Sequence, residues 1–130
     1  MIKVCDHPIA KLITHKFGSY CAVAAEDSHV YFVDLNNHKV CLKIKGGDDA
    51  IASLCWDQSG LLLATGCHDG SVKVFDVKNM AKGEHNELCH VQNVHTIKDN
   101  EGVLGVCVQS QQQVLLTSGA DGFVKVHKMC

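Results

Sequence analysis

The stretch Ser59-Gly-Leu-Leu-Leu-Ala-Thr-Gly-Cys-His-Asp-Gly-Ser-Val-Lys-Val-Phe-Asp76 decides how this chain is read. Two short apolar runs, Leu61 to Gly66 and Ser71 to Asp76, flank His68-Asp69-Gly70, and Asp57-Gln-Ser-Gly60 precedes the first. Val, Leu and Ala runs punctuated by Gly, Asp and Ser follow strand-and-turn grammar rather than the period of an amphipathic helix. The glycines can adopt the positive φ that tight hairpins need, and Asp69 can bond to the amides of its own turn. Just upstream, Ile51 to Trp56 reads as another strand, and Lys39-Val-Cys-Leu-Lys-Ile44 alternates charged and apolar residues as a half-exposed outer strand does. One unit is therefore a four-stranded antiparallel meander.

The unit recurs. Leu62 to Phe75 matches Val114 to His127, where Thr65 and Asp69 find counterparts in Thr117 and Asp121, 52 residues on. A weaker copy, Cys21 to Asp34, lies 42 residues upstream of Leu63 to Asp76. The chain divides into repeats at about 9–45, 50–98 and 102–130 within one region spanning 1–130. The added residues before the third copy fall in an enlarged polar connection, about 78–101, with the fourth strand of the second unit placed at Cys89 to Ile97.

Together, the Ser-Gly turn, the apolar strand, the Asp-Gly turn and the final strand ending in Phe75-Asp76 resemble the WD-repeat family, whose units each build one blade of a β-propeller. The resemblance implies an all-β fold: a partial propeller of three four-stranded antiparallel blades with the last incomplete. Blades of the family often hold a hydrogen-bonded tetrad of Trp, Ser or Thr, Asp and His. Here Thr65 with Asp69, and Thr117 with Asp121, keep the Thr and Asp members. Phe75, His127 and Val33 stand at the Trp position, and Gly46-Gly47 replaces Gly-His, so the network is expected to be incomplete in every blade.

The resemblance also implies a non-catalytic scaffold or adaptor that binds protein or peptide partners through loops at one end of the blades. Carried over by position, Glu26, His68 and Ala120 come from the inner turns, and Asp48, Asp49, Asn100 and Glu101 from the loops leading into each first strand. This face is acidic with one histidine, which points to a basic partner segment whose binding weakens with salt. The alternatives are the recruitment propeller of a larger enzyme or trafficking protein, and blades that complete a ring shared with another chain.

Composition narrows the classes. Among 130 residues, 46% are hydrophobic and the formal charge is −2, the profile of one ordinary globular unit. The 12 basic residues are all lysine and 14 carboxylates outnumber them, which argues against nucleic acid as partner. No apolar run approaches the length of a membrane span. The eight cysteines contain no C-x-x-C pair, and Cys21, Cys55 and Cys107 sit inside apolar runs, where a thiol acts as a small buried hydrophobe. The expected compartment is the reducing cytoplasm, with the nucleus as the alternative.

The remaining motifs are read plainly. His85, Cys89, His90 and His95 fit no standard zinc spacing, so no metal or cofactor is expected there. Cys67-His68-Asp69 cannot form a nucleophilic triad because consecutive residues do not converge in space, and no enzyme activity is expected. Gly102-x-x-Gly105 precedes a strand and lacks the helix N-terminus of a phosphate cradle. Trp56 is assigned to packing between blades, and Asp48-Asp49 to solvated turn positions or a recognition loop. Since propellers close with 4 to 8 blades, three copies leave an arc. Two apolar faces are then expected to be wet, each forfeiting on the order of 10 kcal/mol of burial, as much as the stability of a whole domain. The expectation is a terminal piece of a larger propeller, a truncated product or a partner-dependent arc.

Overall fold

A computed structural model describes residues 1–15, 18–77, 86–98, 101–109 and 114–128. The strand grammar is realised as three antiparallel sheets. The first carries β1 (Ile9–Thr14), β2 (Tyr20–Ala25), β3 (His29–Asp34) and β4 (Lys39–Lys45) in that order. The second carries β5 (Ile51–Trp56), β6 (Leu62–Cys67), β7 (Val72–Asp76) and β8 (Asn86–Val91). The third is three-stranded among the described residues, with β9 (Val103–Gln109), β10 (Val114–Gly119) and β11 (Val124–Lys128).

Local chemistry sets the turns. Asp57 accepts from the amides of Leu61 and Leu62, while Gly60 takes φ +76°. Asp69 accepts from the Ser71 amide and Gly70 takes φ +83°. Both turns of the second sheet thus have the acceptor and the left-handed glycine that their geometry requires, whereas Ser28 takes φ +69° in the β2–β3 turn. The fourth strand of the second sheet ends at Val91 rather than Ile97, because Asn93 adopts φ +56° and breaks the extended run.

Period-two alternation then gives each sheet two apolar faces, and stacking buries them. Phe32, Ala22, Val30 and Ile44 of the first sheet meet Leu54, Leu63, Phe75 and Ile51 of the second. Trp56 packs in the same layer, 5.8 Å from Phe32 and edge-on to His15 at 4.9 Å, so it serves sheet-to-sheet packing as expected. On the opposite face of the second sheet, Ala64, Val72 and Val74 meet Val103 and Leu115 of the third. Gly66 permits the closest approach there: a Cβ on it would lie 2.7 Å from Val103 Cγ1. The innermost strands β1, β5 and β9 line a common cleft of about 720 Å³ where the arc curves round its axis.

The two ends of the arc differ, which corrects the expectation of two wet faces. Cys21, Val23, Ala25, Tyr31 and Val33 form an outer layer on the first sheet, and the N-terminal residues Ile2, Val4 and Cys5 pack over it. These residues stand where a neighbouring sheet would stack, and Val23 and Ala25 fall to 1% and 0% exposure. At the far end nothing among the described residues covers β11, and Val124 and Val126 are 71% and 65% exposed. Cys107 is exposed rather than buried, because it alternates along β9 with Val106 and Val108, the residues that pack against the second sheet.

Candidate interaction face

Antiparallel order brings the lead-in of each first strand and the β2–β3, β6–β7 and β10–β11 turns to one end of the arc. The Glu26 amide donates to the Pro8 carbonyl, the His68 amide to Ala50, and the Ala120 amide to Gly102. The Cys67 thiol donates to the Asp49 carbonyl at 3.0 Å, and a Cβ on Gly102 would lie 2.8 Å from the His68 carbonyl. These bonds fasten each lead-in loop to the turn beside it. Glu26, Asp48, Asp49 and Glu101 are exposed at this end, with His68 and Ala120 half-buried; Asn100 lies outside the described residues. Lys45, 3.5 Å from Asp48, is a nearby counter-charge, and both side chains are exposed enough for solvent to screen the pair. His68 Nδ1 is buried without a hydrogen-bond partner among the described residues.

Beneath the rim, a buried Thr anchors each of the last two sheets. In the second, Thr65 donates to the Gly46 carbonyl at 2.8 Å, so a backbone oxygen takes the place of the missing histidine. In the third the expectation of an incomplete network is overturned. His95 Nδ1 lies 2.9 Å from Asp121, His95 Nε2 lies 2.8 Å from Thr117 Oγ1, and Thr117 Oγ1 lies 3.3 Å from His127 Nε2. A carboxylate only accepts, so His95 Nδ1–H donates to Asp121, and the Thr117 hydroxyl bridges His95 Nε2 and His127 Nε2. The His127 imidazole thus reaches the threonine from the position an indole would occupy. Gly119 makes the room, since a Cβ there would fall 2.4 Å from the His95 ring.

Burial pushes the Asp121 carboxyl up, but the Phe123 amide, the His95 ring and the Thr96 amide outweigh it and hold the group down at about 2. In the first sheet, burial likewise raises Asp27, while the Tyr31 hydroxyl, the His29 amide and the nearby imidazoles of His29 and His7 bring it below its usual range. His95 is the residue that sequence reasoning missed. It stands 22 residues before Thr117, whereas Gly46 stands 19 before Thr65, and this offset hid the equivalence. His85 lies outside the described residues, and among the described residues no group of three or more His, Cys, Asp or Glu is placed to hold a metal ion.

Burial raises the Cys67 thiol, which bonds to Asp49, and Asp69 bonds to Ser71.

Residues 19–90 match the family model described as the Anaphase-promoting complex subunit 4 WD40 domain, and residues 89–128 match the WD domain, G-beta repeat. The chain belongs to the WD-repeat family. Its sheets are accordingly propeller blades, and Striatin-3 of Homo sapiens is 28% identical over 93% of this chain. The Striatin homolog of Dictyostelium discoideum is 25% identical over 91%. The chain spans 14% of the length of each of these WD-repeat relatives. In three dimensions it resembles the β-propeller domain of Myceliophteria thermophila Cps50 (Swd1), with TM-score 0.77 and 17% identity over 95% of this chain and 36% of that one. The partial-propeller fold is thus established.

Proposed function

We propose that this WD-repeat arc is a non-catalytic scaffold that holds a basic protein segment against the rim formed by Glu26, Asp48, Asp49 and Glu101. The observation that carries this reading is the gathering of four exposed carboxylates at one end of a rigid stack, fastened from below by backbone bonds. A rigid rim loses little conformational freedom on binding, and exposed carboxylates attract lysine- or arginine-rich chains while staying sensitive to salt. The cytoplasm or nucleus, where cysteines remain thiols, suits such a role. The test is fluorescence anisotropy with a lysine-rich peptide. Reversing both charges in Asp48→Lys/Asp49→Lys weakens binding about tenfold, and added salt does the same to the unmodified chain. Equal affinity of both proteins would remove this face from the reading.

A second reading rests on the other end of the molecule. Phe123, Val124 and Val126 present an apolar surface on the third blade of the kind that the first two interfaces bury. Further blades, from a longer form of the chain, from another chain or from the recruitment propeller of a larger enzyme or trafficking protein, would cover it. Sedimentation across a concentration series distinguishes the sources: assembly that grows with concentration supports ring completion by copies of this chain, and a constant monomer rejects it.

A further inference from the structure

We propose that Cys55 of β5 and Cys107 of β9 form a redox-convertible thiol pair that can tie the second and third blades together at the axis. The two inner strands run side by side with a constant offset. The Val106 amide donates to Ser53 Oγ at 3.2 Å, and the Val108 amide donates to Cys55 Sγ at 3.4 Å, each across 53 residues. Cys55 sulfur therefore rests against the peptide that joins Cys107 to Val108. Both cysteines line the axial cleft of about 720 Å³, which admits a small disulfide from solvent. Burial raises the Cys55 thiol, the Val108 amide opposes this, and the neighbouring Cys107 thiol, which bonds to it, raises it further.

The exposures assign the order of steps. Exposed Cys107, as thiolate, attacks one sulfur of a low-molecular-weight disulfide such as oxidised glutathione and releases one glutathione thiolate, which takes up a proton. Cys55 then loses its proton and attacks the Cys107 sulfur, expelling the second glutathione. The two protein thiols give up two electrons and two protons, and one glutathione disulfide becomes two glutathione molecules. The other thiols are poor competitors. Cys21 and Cys67 are buried, Cys5 belongs to the N-terminal segment packed on the first sheet, Cys41 and Cys89 are exposed but sit on the outer strands β4 and β8, away from Cys55, and Cys130 lies outside the described residues.

The experiment incubates the full chain with oxidised glutathione, alkylates residual thiols and maps the digested peptides by mass spectrometry. The expected result is a Cys55–Cys107 linked peptide, with alkylation at both positions lost together and restored by dithiothreitol. Cys107→Ser, at an exposed position, should return Cys55 to full alkylation. The proposal is overturned if Cys107 stops as a stable mixed disulfide with glutathione, if it links to another cysteine, or if Cys55 stays alkylated in the oxidised wild type. The wild-type peptide map decides the matter even if the variant fails to fold.

Discussion

Replacing Thr65 by Val tests the junction between the first two blades. Thr65 is 0% exposed, and its hydroxyl donates to the carbonyl of Gly46, the residue that follows β4. Valine keeps the shape and stiffness of the side chain, so the loss is almost purely polar. A net hydrogen bond contributes about 1 kcal/mol, and leaving the buried Gly46 carbonyl without this donor adds about 1 kcal/mol or more. The expected destabilisation is therefore about 2 kcal/mol, a large part of the roughly 5–15 kcal/mol available to a domain. Thr65→Ser keeps the hydroxyl and loses only a methyl group, at about 1 kcal/mol. Urea unfolding followed by Trp56 fluorescence measures both variants, with the slope unchanged if the compactness of the two states is unchanged. A Thr65→Val protein within about 0.5 kcal/mol of wild type would refute the reasoning.

Other perturbations probe the remaining layers. Gly119→Ala should destabilise the third blade by several kcal/mol, on the order of an overpacked core, because the new Cβ would fall within 2.6 Å of three His95 ring or side-chain atoms. Gly122→Ala, with no neighbour within 4 Å, should cost only about 1 kcal/mol for its positive φ, and equal thermal melts of the two would contradict the packing. Burial, aided by the charge of Lys125, lowers the His127 imidazole below its usual 6.5. The unfolded chain then binds more protons than the folded one, so this contribution is present above pH 6.5 and is lost as the pH falls below it. Urea midpoints measured against pH should show a slope in that window that shrinks in His127→Trp; an unchanged slope would exonerate His127. Val4→Asp sets a charge against the outer layer of the first blade and should cost about 1–2 kcal/mol while increasing binding of an apolar dye, and an unchanged dye signal would mean that the N-terminal segment does not cover that face.

The blade hairpins were legible because their chemistry is local. Asp57, Gly60, Asp69 and Gly70 announce turns whatever surrounds them, and β5 runs over Ile51–Trp56 as the sequence indicates. The Asn93 break was harder to see, since asparagine tolerates a left-handed conformation without requiring it. Long-range pairing was largely hidden. Nothing local in Val94-His95 shows that this histidine will sit beneath Thr117 and Asp121, and nothing in Ile2 or Val4 shows that they will lie over Val23 and Tyr31. The acidic rim was legible as a set of residue types, and the structure places Glu26, Asp48, Asp49 and Glu101 at one end of the stack. Their role in binding is the part that rests on proposal.

The stacking of blades about an axis is measured most directly by nuclear Overhauser contacts across the second and third sheets. Gly66 lies so near Val103 that a Cβ on it would be 2.7 Å from Val103 Cγ1 and 3.0 Å from Val106 Cγ1. Cross-peaks from the Gly66 α-protons to the methyl groups of Val103 and Val106 are the result expected, alongside the Gly66–Val72 contacts within the second sheet. Strong contacts between Gly66 and Val72 with none to Val103 or Val106 would show sheets that form without stacking, and would contradict the account.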